Sequence, residues 1–177
     1  MTLTRLTAID GETILPLEDA KAHLRVTHDD EDALIEALRD AACEYVERVS
    51  GVALADADYL WEGSCFSRVS ALPLRPVTAV GSVAYTDGDG ASATYTGARI
   101  VNGSVLPAFG ESWPSAYGYA AITFSAGTTC PPDLLAAVKL MLGHLYANRE
   151  AVNIGNITSE VPLGVDALIQ TYRKVMV

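Results

Sequence analysis

The chain has 177 residues, half of them hydrophobic and 19% charged, a balance that supports one packed domain and argues against disorder. Twelve Lys and Arg stand against 22 Asp and Glu, a net charge of −10, so tight binding to a phosphate backbone is disfavoured. No apolar run approaches the roughly 20 residues that span a bilayer, and Met-Thr-Leu-Thr-Arg opens no apolar leader, so neither membrane insertion nor secretion is expected.

The acidity is uneven: residues 1–60 carry 14 acids and 5 bases, and residues 61–177 carry 8 and 7. In chain order, Pro16 with Leu17, Ala20 and Leu24 predicts a short helix through Val26, broken at Thr27-His28. A long second helix follows. Asp29 or Asp30 is placed to cap it, and Glu31 and Asp32 put negative charge where the helix dipole favours it. Its apolar positions Leu34, Ile35, Leu38, Ala41, Ala42, Tyr45, Val46 and Val49 recur at three and four, and Gly51 follows as a C-cap.

Residues 56–127 turn to Gly, Ser, Thr, Val and Tyr, and predict a small antiparallel sheet. Tyr59-Leu60-Trp61 begins one strand, and residues 77–86 form a second after Pro73-Leu74-Arg75-Pro76. Asp87-Gly88-Asp89-Gly90 signals a hairpin turn returning through residues 93–95. Residues 99–105 form a further run. Residues 119–125 alternate, with Ala120, Ile122 and Phe124 on one face and Ala121, Thr123 and Ser125 on the other. Pro131-Pro132-Asp133 opens a third helix striped by Leu134, Leu135, Val138, Met141, Leu142, Leu145 and Tyr146. A polar loop over residues 151–160 precedes a last helix from Pro162, whose Val165, Leu168, Ile169, Tyr172 and Met176 share a face. The fold class is thus α+β and mainly helical: two N-terminal helices (residues 1–55), an inserted sheet (56–127) and two C-terminal helices (128–177), read together as one domain.

No catalytic constellation assembles. Asp87-Gly88-Asp89-Gly90 lacks the later oxygen ligands of a calcium loop and reads as a tight turn. No G-x-S-x-G, GxxxxGK[ST] or GxGxxG occurs. Cys43, Cys65 and Cys130 are widely spaced and odd in number, and read as reduced buried thiols of a cytosolic protein. His23 and His28 read as surface residues, and His144 as half-exposed on its helix. Trp113, Tyr117 and Tyr119 suggest base stacking, but no Lys or Arg lies between residues 100 and 138, so they read as core or protein-contact surface. The acidic run at residues 29–32 points its side chains in several directions, which suits a helix-start cap and solvated face better than a metal site. No metal, cofactor or catalytic residue is expected.

The order of segments resembles the tailed-phage head–tail connector family, also called adaptor or gp6-like proteins. The resemblance begins with Leu17-Glu18-Asp19-Ala20-Lys21-Ala22-His23-Leu24-Arg25-Val26 and continues through the acidic run to Ser50-Gly51. Leu72-Pro73-Leu74-Arg75-Pro76-Val77 leads into Val80-Gly81-Ser82-Val83-Ala84-Tyr85-Thr86-Asp87. Trp113-Pro114, Thr123-Phe124-Ser125-Ala126-Gly127, Pro131-Pro132, Tyr146-Ala147-Asn148-Arg149-Glu150 and Val161-Pro162-Leu163-Gly164-Val165 follow in register, with Tyr172-Arg173 closing.

The resemblance implies a structural, non-enzymatic subunit. Such subunits form a ring, usually of twelve, beneath the portal of a phage or gene transfer agent particle. The ring extends the DNA channel without binding DNA specifically and docks a stopper, tail terminator or other neck or tail protein. Assembly in the host cytoplasm, away from any membrane, is implied as well. Asp29, Asp30, Glu31 and Asp32 are then expected to face the channel, repelling DNA over roughly 8–10 Å at physiological salt. Leu168, Tyr172, Arg173 and Lys174 are expected to meet the portal or a neighbouring subunit, unless the last helix packs on its own domain. The loop over residues 151–160 is expected to order on assembly. A stopper or tail-completion protein is the alternative, but such proteins are mostly β, and a small hydrolase lacks its nucleophile and base.

Overall fold

A computed structural model describes residues 2–66, 72–148 and 163–173. Its elements run β1 (Thr2–Arg5), α1 (Gly11–Ile14), α2 (Leu17–Leu24), α3 (Asp32–Ser50), β2 (Ala57–Gly63), β3 (Val77–Thr86), β4 (Ser92–Thr94), β5 (Arg99–Val101), β6 (Ser104–Leu106), β7 (Ala120–Ala126), α4 (Pro132–Ala147) and α5 (Leu163–Gln170). The class is α+β, as the sequence implies, but helix and strand are more evenly matched than a mainly helical chain would be. Two elements were not anticipated. Asp10 caps the single turn α1 by accepting from the Thr13 N–H at 3.2 Å. The N-terminal β1 joins the sheet from outside residues 56–127.

The chain divides into two compact units, residues 1–8 with 56–128 and residues 9–55 with 129–177. In the first, five strands form an antiparallel sheet in the order β1-β2-β7-β3-β4, and β5 and β6 form a separate hairpin. Strand β7 is central. It pairs Ala57–Gly63 on one side and, with register shifts at Thr78 and at Gly81, Val77–Thr86 on the other. Alternation decides the faces. Tyr59, Trp61, Val83, Ile122 and Phe124 are buried, and the Tyr59 and Phe124 rings stack at 5.6 Å. On the opposite face Ser125 donates to Asp58 at 2.6 Å, and Ser82 meets Thr123 at 3.2 Å. The β3–β4 turn forms where Asp87-Gly88-Asp89-Gly90 signals it: Asp87 Oδ1 accepts from the N–H groups of Asp89 and Ala91 at 3.0 and 2.9 Å. The run at 99–105 is not one strand. Asn102 and Gly103 both take positive φ (51° and 70°) and turn β5 back on β6.

The second unit is helical. Ile35, Ala42, Cys43 and Val46 of α3 pack with Leu134, Ala137, Val138 and Leu142 of α4, and with Val165 and Ile169 of α5, all fully buried. Burying each Val, Leu or Ile side chain among them contributes about 1.5–3 kcal/mol. The buried stripe of α3 also carries two charges, Arg39 and Glu47. Arg39 Nη1 donates to Glu12 Oε2 at 2.6 Å and to the Leu15 carbonyl at 3.4 Å, tying α1 to α3. Glu47 accepts the Leu54 N–H at 3.1 Å. Gly51 ends α3 in the left-handed conformation (φ 68°), returning its N–H to the Glu47 carbonyl.

Candidate assembly surfaces

The acidic run lies at the α2–α3 junction, and its members have separate roles. Neither Asp29 nor Asp30 caps α3. The N-cap position falls to Glu31, which makes no side-chain cap bond. Lys21, near the end of α2, is buried, and its Nζ meets Asp29 Oδ1 at 2.6 Å and Asp32 Oδ1 at 2.8 Å. Two carboxylates on one ammonium offset the cost of removing it from water. These hydrogen bonds raise the Lys21 pKa above its ordinary value of 10.5, and the bond from Lys21 lowers that of Asp29 below 3.8. Glu31 accepts a short hydrogen bond from the Tyr146 hydroxyl of α4. Asp30 projects into solvent, its side chain 96% exposed, with His28 Nδ1 3.9 Å away. The spacing of the acids was legible; their partners were not, because Tyr146 is 115 residues distant.

The residues expected at the portal lie on and after α5. Leu168 packs partly buried against the helical core. The Tyr172 hydroxyl donates to both oxygens of Asp133 at 2.9 Å, and this bond raises the phenol's pKa. Arg173 is exposed, and Lys174 lies outside the described residues, as do Met176 and the loop 151–160. The last helix therefore packs on α4 within its own unit.

Aromatics collect on the sheet unit. Phe66 stacks on Trp113 with ring centroids 5.1 Å apart, while Tyr85 and Tyr95 meet Phe66 and Trp113 edge-on at 5.9 and 5.4 Å. Tyr95 donates to Glu111 Oε2 at 2.8 Å and accepts from the Ala108 N–H at 2.9 Å. Beside Trp113 lies an open hollow of about 480 Å³, lined by Cys65, Phe66, Pro114, Ser115 and Tyr117 among others. Trp113 is half-buried, whereas Tyr117 and Tyr119 are 62% and 44% exposed. Phe109 is 90% exposed, with the Arg99 guanidinium 5.7 Å from its ring centroid. Sequence reasoning passed over Phe109, although a large apolar residue in the Pro107-Ala108-Phe109-Gly110 turn is a readable signal.

Of the three cysteines Cys43 is buried, Cys130 half-buried and Cys65 exposed, so the expectation of three buried thiols is wrong for Cys65. Burial pushes the Cys43 thiol up to about 12 and Cys130 to about 11. His23 and His28 are exposed and His144 is half-buried. Among the described residues no three His, Cys, Asp or Glu side chains are grouped to hold a metal ion, and no helix is long and apolar enough to cross a membrane.

Acidic charge is concentrated on the helical unit and exposed aromatics on the sheet unit, the features of an interaction surface. The family model for phage gp6-like head–tail connector proteins matches residues 15–103, and the chain belongs to that family. Three solved structures resemble it along its whole length, each aligning with all of this chain and 97% of its own. One is from the virion of a native gene transfer agent particle (28% identity, TM-score 0.78). The second is from the neck of an empty particle computed with C6 symmetry (28%, 0.75), and the third from the neck of a native particle computed with C12 symmetry (27%, 0.70). No curated protein matches the chain.

Proposed function

We propose that this protein is the connector subunit in the neck of a phage or gene transfer agent particle. It forms a ring, dodecameric by analogy with the neck of C12 symmetry, beneath the portal. The ring extends the DNA channel and docks a stopper or tail-terminator protein, and it assembles in the host cytoplasm. The observation that carries this reading is the full-length likeness to neck structures of C6 and C12 symmetry together with the family match. The role asks for shape and charge rather than chemistry, and the subunit's ties are internal and structural.

The charge distribution supports the channel part of the reading. The helical unit carries 16 acids and 8 bases, and the sheet unit 6 and 4. A lumen should repel DNA, and exposed carboxylates do so within a Debye length, about 8 Å at physiological salt. Asp29, Asp30, Glu31 and Asp32 are assigned to the channel wall, and Asp30 presents the least compensated charge of the four. Leu168, Tyr172, Arg173 and Lys174 are assigned to the portal or neighbour contact, made through the exposed polar side of α5 because its apolar side is engaged. Light scattering after size exclusion, on the protein alone and mixed with its portal, tests the assembly. A ring of about twelve, or one copy joining per portal subunit, is expected; a monomer indifferent to the portal would overturn the reading. Asp30→Lys in particles is expected to slow DNA ejection without loss of fold, and unchanged ejection would remove Asp30 from the lumen.

A further inference from the structure

Phe109 and the hollow beside Trp113 both belong to the sheet unit, yet within one chain they do not meet. The phenyl group stands 90% exposed while the hollow stays open. The projecting side carries a cation: Arg99 lies over the Phe109 ring, and its Nε donates to the Pro107 carbonyl at 2.8 Å, holding the guanidinium at the loop tip. The receiving side carries anions. The turn bearing Asp87 and Asp89 lies beside Tyr117, whose N–H donates to the Thr86 carbonyl at 2.9 Å.

We propose that Phe109 of one copy seats in the Phe66–Trp113–Tyr117 hollow of a second copy, with Arg99 facing the carboxylates of Asp87 and Asp89. This deepens the ring reading and rests on it. A closed ring needs a heterologous contact, in which each subunit presents two different and complementary patches, and a knob and a hollow on one sheet unit supply them. An aromatic anchor in an aromatic-lined hollow, rimmed by charge pairs, has the composition of an interface hot spot.

Disulfide trapping tests the contact. The full-length chain would carry Phe109→Cys and Ser115→Cys, with Cys65→Ser to remove the other exposed thiol; burial keeps Cys43 and Cys130 protonated and slow to react. Mild oxidation is expected to give a ladder of linked chains on a non-reducing gel, absent when either new cysteine is omitted. Arg99→Glu is expected to slow trapping by about two- to fivefold, and added Asp89→Lys to restore it, the range of an exposed ion pair. Trapping captures even briefly occupied contacts, so the absence of linked oligomers would overturn the proposal. A disulfide formed only within single chains would overturn it too, by showing that the loop reaches its own hollow. Rings seen by light scattering with no trapped ladder would refute this contact while leaving the ring reading intact; failure of portal binding would refute the ring reading by itself.

Discussion

Gly127→Ala is a decisive test of how the sheet unit is built. Gly127 closes the Ser125-Ala126-Gly127 segment at the end of β7 and runs against the start of β2. A Cβ placed there would lie 2.5 Å from Asp56 Cα and 2.7 Å from its backbone N. Non-bonded carbons pack at about 3.5–4.0 Å, so roughly 1 Å of backbone movement is required. Rotating the Asp56 side chain relieves only the contact with its Oδ1; the clashes with Cα and N remain, because those atoms belong to the main chain. Movement there would pull on the adjacent Ala57–Ala126 pair and on the bond from the Gly127 N–H to the Pro76 carbonyl.

Overpacking of this kind costs about 1–3 kcal/mol. Where a glycine is merely tolerated, alanine instead stabilises by about 0.4–1 kcal/mol through the unfolded chain, so the two accounts differ in sign. Trp61 and Trp113, the two tryptophans of the chain, both belong to the sheet unit, so tryptophan fluorescence during thermal or urea unfolding reports that unit. A midpoint lowered by about 4–8 °C per kcal/mol is expected for a unit of this size. An unchanged or raised midpoint would refute the argument. Gly11→Ala is the contrast in the helical unit, read by circular dichroism at 222 nm: its added Cβ would meet side-chain atoms, the Asp40 carboxylate and the Arg39 guanidinium, rather than backbone, and a smaller loss is expected.

Leu142→Ala removes a fully buried side chain from the helical core and is expected to cost about 2–5 kcal/mol, read by circular dichroism at 222 nm during urea unfolding. The Lys21 clamp gives pH limits at both ends. The Asp29 pKa is lowered in the fold, so its contribution is present above the unfolded value near 3.9 and is lost as pH falls through the lower folded value. The Lys21 pKa is raised, so its contribution is complete below 10.5 and fades only as pH climbs through the folded value. Lys21→Met is expected to lower the urea midpoint at pH 7 and to flatten the acid limb below the unfolded carboxylate value; an acid limb identical to the parent's would refute the clamp. Alkylation of the folded protein at pH 8 is expected to spare Cys43 and Cys130, with all three cysteines reacting in denaturant, as counted by mass spectrometry.

Legibility followed the range of the interaction that decides each feature. Helix α3 and strand β7 carry their own periodicity, strand β3 is bounded by Pro76 and the Asp87 turn, and Gly51 and Asp87 act within a few residues of themselves. Strand β1 does not: Thr2–Arg5 is too short to show a pattern, and pairing with residues 59–62 makes it a strand. Asn102-Gly103 was a local hairpin signal inside a run read as continuous. The acids at 29–32 looked alike as letters, but a buried ammonium from α2 and a phenol from α4 give them different roles. Arg39 and Glu47 fall on the apolar stripe of α3 for a similar reason, since the groups that make their burial tolerable come from Glu12, Leu15 and Leu54.

The strand order also dictates a timetable for synthesis. Strands β2 and β3 are never neighbours; each pairs with β7, the last strand of the sheet to be made. Until Ala126 has left the ribosome, the inner edge of β2 and the long edge of β3 have no place to close. At about 5–20 residues per second, the interval from Gly63 to Ala126 lasts roughly 3–13 s. Nascent chains on one message spend that time with open strand edges close together, and a β7 arriving from a neighbouring chain would satisfy them equally well. Spacing between ribosomes, rather than the stability of the finished sheet, then sets how often chains entangle by strand exchange.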